Sequence, residues 1–414
     1  MNIVQHKGLQ LLITTLLCVF AGHTYANVDS IVYKPMRSYD FTKATPNEIV
    51  DKERAFYPFL EKLSSIRDSS FDGQVSVVHI GDSHIQADFF TGTTRKLINH
   101  YFGNPGRGLI APNRLMRSNN GRHYKITSSN LWSHSIVVKA KPEIPIGLTG
   151  LGLQTKDATA NVSVVTVDES FPGEWEFNKI TAYYNLESAN LDISDNVLKR
   201  DTLKKYAETV LLRDFTSQVD ISFNSLTNQN ISFYGFNLSN SKKGVFYHSI
   251  GINGARYSNY NNFESEFCPQ ISSLEPELVI ISMGTNEAMG RFDEDQLYSE
   301  ISDLVFCLRH SSPNAIIMLT TPPEAYTRNK RGANLQTGKV RDVIIKFAEQ
   351  NGYPYWDLYN ITGGKSSALQ WNKKGLLSRD RIHFTQRGYE YQGELLFEAM
   401  IKSYNQFIKA KHEL

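Results

Sequence analysis

Five short apolar runs, with stretches of helical periodicity between them, constrain the fold more than any other feature of the chain. They are "QVSVVHI" (74–80), "VFYHSI" (245–250), "LVIISMG" (278–284), "AIIMLTT" (315–321) and "YPYWDLY" (353–359). Continuous apolar runs of this length suit strands covered on both faces, whereas strict alternation would suit a half-exposed sheet. Helical patterns lie near 88–102, 257–273, 294–310, 337–351 and 386–410. The third of these places Leu297, Ile301, Leu304, Val305 and Leu308 on one face. Strands alternating with helices predict a right-handed, doubly wound α/β structure around a five-stranded parallel sheet.

One gap breaks the alternation. Residues 120–244 carry "HSIVVKA", "ANVSVVTVD", "KITAYYN", "TVLLRDF", "VDISFNS" and "NISFYGF", which are short, β-rich and separated by turns. A structureless loop of that length would be out of place in a compact domain. The segment therefore reads as an inserted all-β domain of sandwich or jelly-roll type. The α/β domain then comprises 27–119 and 245–414. A chain of 414 residues has room for two such cores.

The first residues carry a different signal. Lys7, an apolar stretch from about Leu9 to Ala21, and small residues Thr24 and Ala26 follow the order of a secretory signal peptide over 1–26. That apolar stretch is too short for a spanning helix, and no later segment approaches one. The expected location is periplasmic or secreted, with no integral membrane segment in the mature chain. A formal net charge of +2 gives no electrostatic footprint for nucleic acid or for an anionic membrane. Export leaves Cys268 and Cys307, which an oxidising compartment would permit to pair. The competing reading is two small buried apolar residues on separate helices. Neither has a metal-ligand neighbour at zinc spacing.

Open α/β sheets bind ligands beyond the carboxyl ends of their strands, and those ends hold an unusual set. "GDSH" follows the first strand with Asp82, Ser83 and His84. "GINGA" follows the second with Gly254, and "GTNE" the third with Asn286. After the fifth strand and a loop comes "DRIHFT", with Asp380 and His383 three residues apart. A serine hydroxyl needs a general base, and His383 is suited to be one. Asp380 can hold the imidazole in a single tautomer. The Ser83 amide, the Gly254 amide and the Asn286 side-chain amide would donate to a developing oxyanion. Taken singly, each has an ordinary explanation: Asp82–Ser83 as a helix cap, Gly254 as a turn, Asn286 as an N-cap, His383 as a structural histidine. The functional reading requires all five together in this order.

In that order the four blocks resemble those of the SGNH/GDSL hydrolase superfamily, over 75–115 and 245–410. The resemblance implies a flavodoxin-like three-layer fold with strand order 2-1-3-4-5. It also implies Ser83 as nucleophile, Asp380 and His383 as its partners, and Ser83, Gly254 and Asn286 as the oxyanion hole. "HIGDSHIQADFFTGTTRKL" with "FGNPGRGLIAP" is similar to periplasmic peptidoglycan O-acetylesterases, which carry a β-rich, carbohydrate-module-like insertion at the same place. This implies hydrolysis of the C6 O-acetyl group of N-acetylmuramic acid, with an acetylated glycan as partner and no metal or organic cofactor. Deacetylation of another polysaccharide, acetyl transfer to a second sugar hydroxyl, and glycan binding without catalysis remain open. A lipase is disfavoured by the lack of a long apolar stretch near the site.

Other residues carry two readings each. His84 could touch substrate or make a structural contact. Arg107 could face the mouth of the site or be a solvated loop residue. Trp371 could stack on a sugar or anchor a loop. Trp132, Trp175, Tyr183 and Tyr184 could form a sugar platform, although aromatic residues of a β-sandwich usually fill its core.

Overall fold

The architecture comes from a computed structural model, which describes residues 30–194, 196–327, 329 and 332–413. The signal-peptide segment 1–26 lies outside the described residues. Among these, no helix is long and apolar enough to cross a membrane.

Each apolar run becomes a strand of one central sheet. From one edge the order is Gly244–Gly251, Gln74–Gly81, Leu278–Ser282, Ile316–Thr320, Tyr355–Trp356 and Ile49–Val50. The first five pair in parallel. The sixth runs antiparallel, with Ile49 opposite Trp356 and Val50 opposite Tyr355, so the sheet is mixed and not the five-stranded parallel sheet expected. Two residues are too few to show a strand period, yet they cover an otherwise open edge. The run over 353–359 is extended only at Tyr355–Trp356, because the next residue, Asp357, starts a helical turn. It caps the turn Leu358–Ile361 and binds Arg341 at 2.6 Å.

The reason for continuous apolar runs is visible in the two cores. Val75, Val77, Val245, Leu278 and Ile280 face helices Tyr57–Arg67, Phe89–Phe102 and Gln386–Glu413. Val78, Ile80, Ile250, Val279 and Ile281 face Glu264–Ile271, Glu294–Ser311 and Gln336–Gln350. Helix Glu294–Ser311 buries the five residues predicted for its inner face. A disulfide joins Cys268 of Glu264–Ile271 to Cys307 of Glu294–Ser311, with Cα atoms 6.1 Å apart. The pairing that the sequence left open is therefore made, in the layer away from the long C-terminal helix.

The β-rich stretch forms two antiparallel sheets. One contains Val197–Lys204, Ala207–Thr216, Phe177–Tyr184, Ile231–Ser239, Leu151–Thr155 and Ser133–Ile136 in spatial order, with Gly108–Ile110 added beside Ile231–Ser239. The other is Tyr124–Ser128, Thr159–Thr166, Gln218–Ser225 and Ala189–Ile193. Thr159–Thr166 alternates buried and outward residues, as a sheet with one covered face must. Between the sheets lie Ile126, Val164, Ile180, Phe223, Phe233 and Phe236. Gly108–Ile110 brings the pairing to residues well before 120. The larger sheet also shares a core with the α/β layer, where Leu148, Leu151 and Tyr234 meet Ile252, Phe267 and Ile271. Leu148 N–H donates to Gln270 Oε1 at 3.0 Å and Tyr206 Oη to the Pro269 carbonyl at 2.8 Å, so the seam is sealed by hydrogen bonds as well.

Candidate active site

The first strand ends at Gly81 because Asp82 turns the backbone. Its carboxylate accepts the His84 N–H at 2.9 Å and caps the turn Ser83–Gln86. The cap reading of Asp82 is thus correct, and it is compatible with a reactive Ser83. Asp82 occupies the turn's free N–H, while the neighbouring hydroxyl is left for another partner.

That partner comes from the far end of the chain. His383 Nε2 lies 2.9 Å from Ser83 Oγ, across 300 residues of sequence. His383 Nδ1 lies 2.7 Å from Asp380 Oδ2. The other carboxylate oxygen of Asp380 accepts from Ser378 Oγ at 2.7 Å and from the Ile382 and His383 amides, each at 2.9 Å. Arg381 makes the loop tight enough for this by adopting a φ of +62°. Burial would raise the Asp380 carboxyl. The bonds from His383, Ile382 and Ser378 outweigh it and hold the group well below the usual carboxylate range. An ionised carboxylate only accepts, so neutral His383 carries its proton on Nδ1 and presents Nε2 to the serine hydroxyl as an acceptor.

The other two strand ends close the site. Gly254 sits in an exposed turn at φ +81°, which explains a glycine there. Among the described residues nothing lies within 4 Å of where its Cβ would be, so conformation and not crowding by the protein sets the requirement. Asn286 occupies the turn Thr285–Ala288. Its Nδ2 donates to the Ala255 carbonyl at 3.0 Å and makes a long 3.4 Å contact to Asp82 Oδ2. Ser83, Gly254, Asn286, Asp380 and His383 all line one cleft of about 670 Å³.

Below this exposed layer the titratable groups are buried, which disfavours their charged forms. Burial pushes the carboxyls of Asp82 and Glu287 each up to about 7. Glu287 Oε1 accepts the Tyr257 N–H at 2.9 Å, and its Oε2 has no partner among the described residues. His84 is buried and its imidazole is pushed down to about 3, first by burial and then by His383. It makes a structural contact, Nδ1 to Tyr389 Oη at 3.0 Å, and is not on the cleft wall.

Three expectations about other residues are settled by packing. Arg107 neither faces the mouth nor lies in solvent. It is 1% exposed and binds Asp88 at 2.6 Å. Asp88 also holds the buried Arg95 at 2.8 Å, so this carboxylate joins helix Phe89–Phe102 to the start of the β-rich stretch. Trp371 is a core anchor, its Nε1 donating to the Thr362 carbonyl at 2.8 Å. Trp175, Tyr183 and Tyr184 are buried and form no sugar platform, while the half-buried Trp132 ring packs 6.0 Å from that of Phe233. The sequence reading missed Gln86, Phe89, Asn119 and Met289, which also line the cleft. Only Gln86 left a signal, being three residues after Ser83 on the same short turn.

The GDSL-like Lipase/Acylhydrolase family matches residues 224–391, a stretch that holds Gly254, Asn286, Asp380 and His383. Over that stretch the match agrees with the resemblance of the four sequence blocks to SGNH/GDSL hydrolases. Ser83 lies outside the matched stretch, on the other side of the β-rich segment from those residues. A solved structure described as a peptidoglycan O-acetylesterase in action superposes with TM-score 0.71 at 20% identity, over 86% of this chain and 99% of its own. A GDSL-like lipase from Bacteroides thetaiotaomicron gives 0.30 at 21%, over 39% and 76%. An acetylxylan esterase from Geobacillus stearothermophilus gives 0.30 at 18%, over 39% and 73%. No curated protein matches in sequence.

Proposed function

We propose that the protein is a serine esterase that removes O-acetyl groups from a glycan, with the C6 O-acetyl of N-acetylmuramic acid in peptidoglycan as its substrate. The reading rests on one observation: a hydroxyl, an imidazole and a carboxylate joined in series at 2.9 and 2.7 Å, in a cleft that also holds Gly254 and Asn286. In this reading Ser83 Oγ attacks the acetyl carbonyl carbon while His383 Nε2 takes its proton. The carbonyl oxygen becomes negative and accepts from the Ser83 and Gly254 amides and from Asn286 Nδ2. Each such donor contributes about 3–4 kcal/mol to the transition state. His383 then gives its proton to the departing sugar oxygen, leaving acetyl-Ser83. Water attacks that ester by the same route and releases acetate.

The substrate class is supported by the cleft wall, where Asn119 and Asn253 place side-chain amides beside the triad. A long acyl chain would leave such groups without partners. The fold likeness to a peptidoglycan O-acetylesterase supports the same choice. A periplasmic or secreted location is supported by the pattern over 1–26 and by the Cys268–Cys307 disulfide. The test is acetate release from O-acetylated sacculi beside acetylated xylan. Parental protein should favour sacculi, and Ser83→Ala should lose several orders of magnitude on both. Undiminished release by Ser83→Ala overturns the esterase; a preference for xylan overturns only the glycan.

A further inference from the structure

The turn that carries Gly254 has a mechanical difficulty. Asn253 and Gly254 are exposed, and Gly254 has no side chain with which to pack. An amide that must already point at a developing oxyanion cannot depend on packing in such a turn, so hydrogen bonds have to fix it. Three do so from within the α/β layer. Ile252 N–H donates to the Gly81 carbonyl at 3.3 Å, Ala255 N–H to the Ile252 carbonyl at 3.1 Å, and Asn286 Nδ2 to the Ala255 carbonyl at 3.0 Å.

The fourth comes from Gln86, a residue only 5% exposed. Its Oε1 accepts the Asn253 N–H at 2.6 Å, the shortest of the four bonds. Its Nε2 donates to Ser118 Oγ at 2.8 Å, in the loop that carries Asn119 to the cleft. Gln86 belongs to the same short turn as Ser83, and that turn lies tight against the strand end. A Cβ on Gly251 would come within 2.2 Å of the Gln86 backbone nitrogen, so glycine at 251 permits the approach. One buried amide thus spans the nucleophile's turn, the Gly254 turn and the loop leading into the β-rich stretch.

We propose that Gln86 is a positioning residue for acyl transfer: by holding the Ile252–Asn253 peptide, it keeps the next amide, that of Gly254, aimed at the carbonyl oxygen. The inference rests on the esterase reading above. It assigns Gln86 no contact with the reacting atoms. A fault in this clamp leaves the ground-state cleft intact but weakens a bond made only in the transition state, so it lowers kcat with little effect on KM.

The test compares Gln86→Met, which keeps length but cannot accept, with Gln86→Glu, which keeps an acceptor at the same reach. Ser118→Ala removes only the outer bond. Kinetics on p-nitrophenyl acetate and thermal unfolding are measured for each, with Ser83→Ala alongside. Deleting a whole oxyanion donor costs about 10²–10³ in kcat, so a misaimed donor in Gln86→Met should cost about 10–100-fold. KM should stay within about threefold, and Gln86→Glu and Ser118→Ala should stay within about fivefold of parental kcat. Gln86→Ala takes the place of the Met variant if its unfolding midpoint falls. The proposal is overturned by parental kcat in Gln86→Met, by an equal loss in Gln86→Glu, or by an equal loss in Ser118→Ala. An active Ser83→Ala would instead remove the esterase itself.

Discussion

Asp380→Asn is the substitution in which the geometry makes the sharpest demand. Three donors, Ser378 Oγ and the amides of Ile382 and His383, converge on Asp380 Oδ1, and two of them are backbone groups that cannot turn away. In the variant they hold the asparagine carbonyl oxygen in that position. The amide nitrogen is then forced to face His383 Nδ1, 2.7 Å from where Oδ2 stood. An NH₂ there donates, so Nδ1 must accept, and the imidazole proton moves to Nε2. His383 then donates toward Ser83 Oγ and cannot take its proton. A wrong-tautomer triad costs about 10⁴ in kcat, or about 5 kcal/mol. Turnover of p-nitrophenyl acetate at pH 7.5 should fall by that order, with unfolding unchanged within a few degrees because the loop keeps its three bonds to that oxygen. A loss below about tenfold would refute the tautomer argument, since the serine would then not depend on which nitrogen carries the proton.

Two further predictions concern the layers beneath the site. Asp82 and Glu287 have carboxyls raised to about 7 when folded, above their unfolded range near 4. Groups shifted upward stabilise the fold fully below their unfolded pKa and lose that contribution as pH rises through the folded value. Unfolding midpoints should therefore fall between about pH 4 and pH 7, and Glu287→Gln should flatten that slope; an unchanged slope counts against the assignment. Asp88→Ala leaves Arg95 and Arg107 buried without their carboxylate. Urea unfolding should show a loss of about 3–5 kcal/mol, and a loss under about 1 kcal/mol would mean that the two arginines are repaired by other contacts.

Much of the site was legible because three of its groups sit just after apolar runs, where chain order and chemistry coincide. Ser83, Gly254 and Asn286 follow three strands that are adjacent in the sheet, and no knowledge of packing was needed to place them at one end. What was not legible depends on partners remote in sequence or on elements too short to have a period. Ile49–Val50 has two residues and pairs with a strand some three hundred positions away. Gly108–Ile110 joins a sheet whose other strands lie beyond residue 130, so composition could not reveal that the β-rich pairing begins before 120. Arg107 looked like a loop arginine because its partner Asp88 is 19 positions earlier, inside a run that reads as the start of a helix. Trp371 and Tyr183 show the converse: the bland reading of an aromatic residue, that it fills a core, was correct in both.

The four elements of the site are not held with equal firmness, and the difference follows from how each is anchored. Sheet register places Gly81 opposite both Gly251 and Ser282, so the turns bearing Ser83, Gly254 and Asn286 leave the sheet at one level. Moving any of the three apart would require a slip of a strand whose two faces are both packed, which would exchange the contents of the two cores. Asp380 and His383 have no strand beneath them. Their loop is tied by Tyr326 N–H to the Arg381 carbonyl at 2.9 Å, by Thr385 N–H to the Leu376 carbonyl at 2.8 Å, and, through the helix that follows, by Tyr389 to His84. Those bonds are few and no residue from Ser378 to His383 is fully buried, so the loop's opening free energy must lie below that of the sheet. On warming, the Ser83–His383 bond should therefore be lost before the fold is, and esterase activity should disappear ahead of the cooperative unfolding transition.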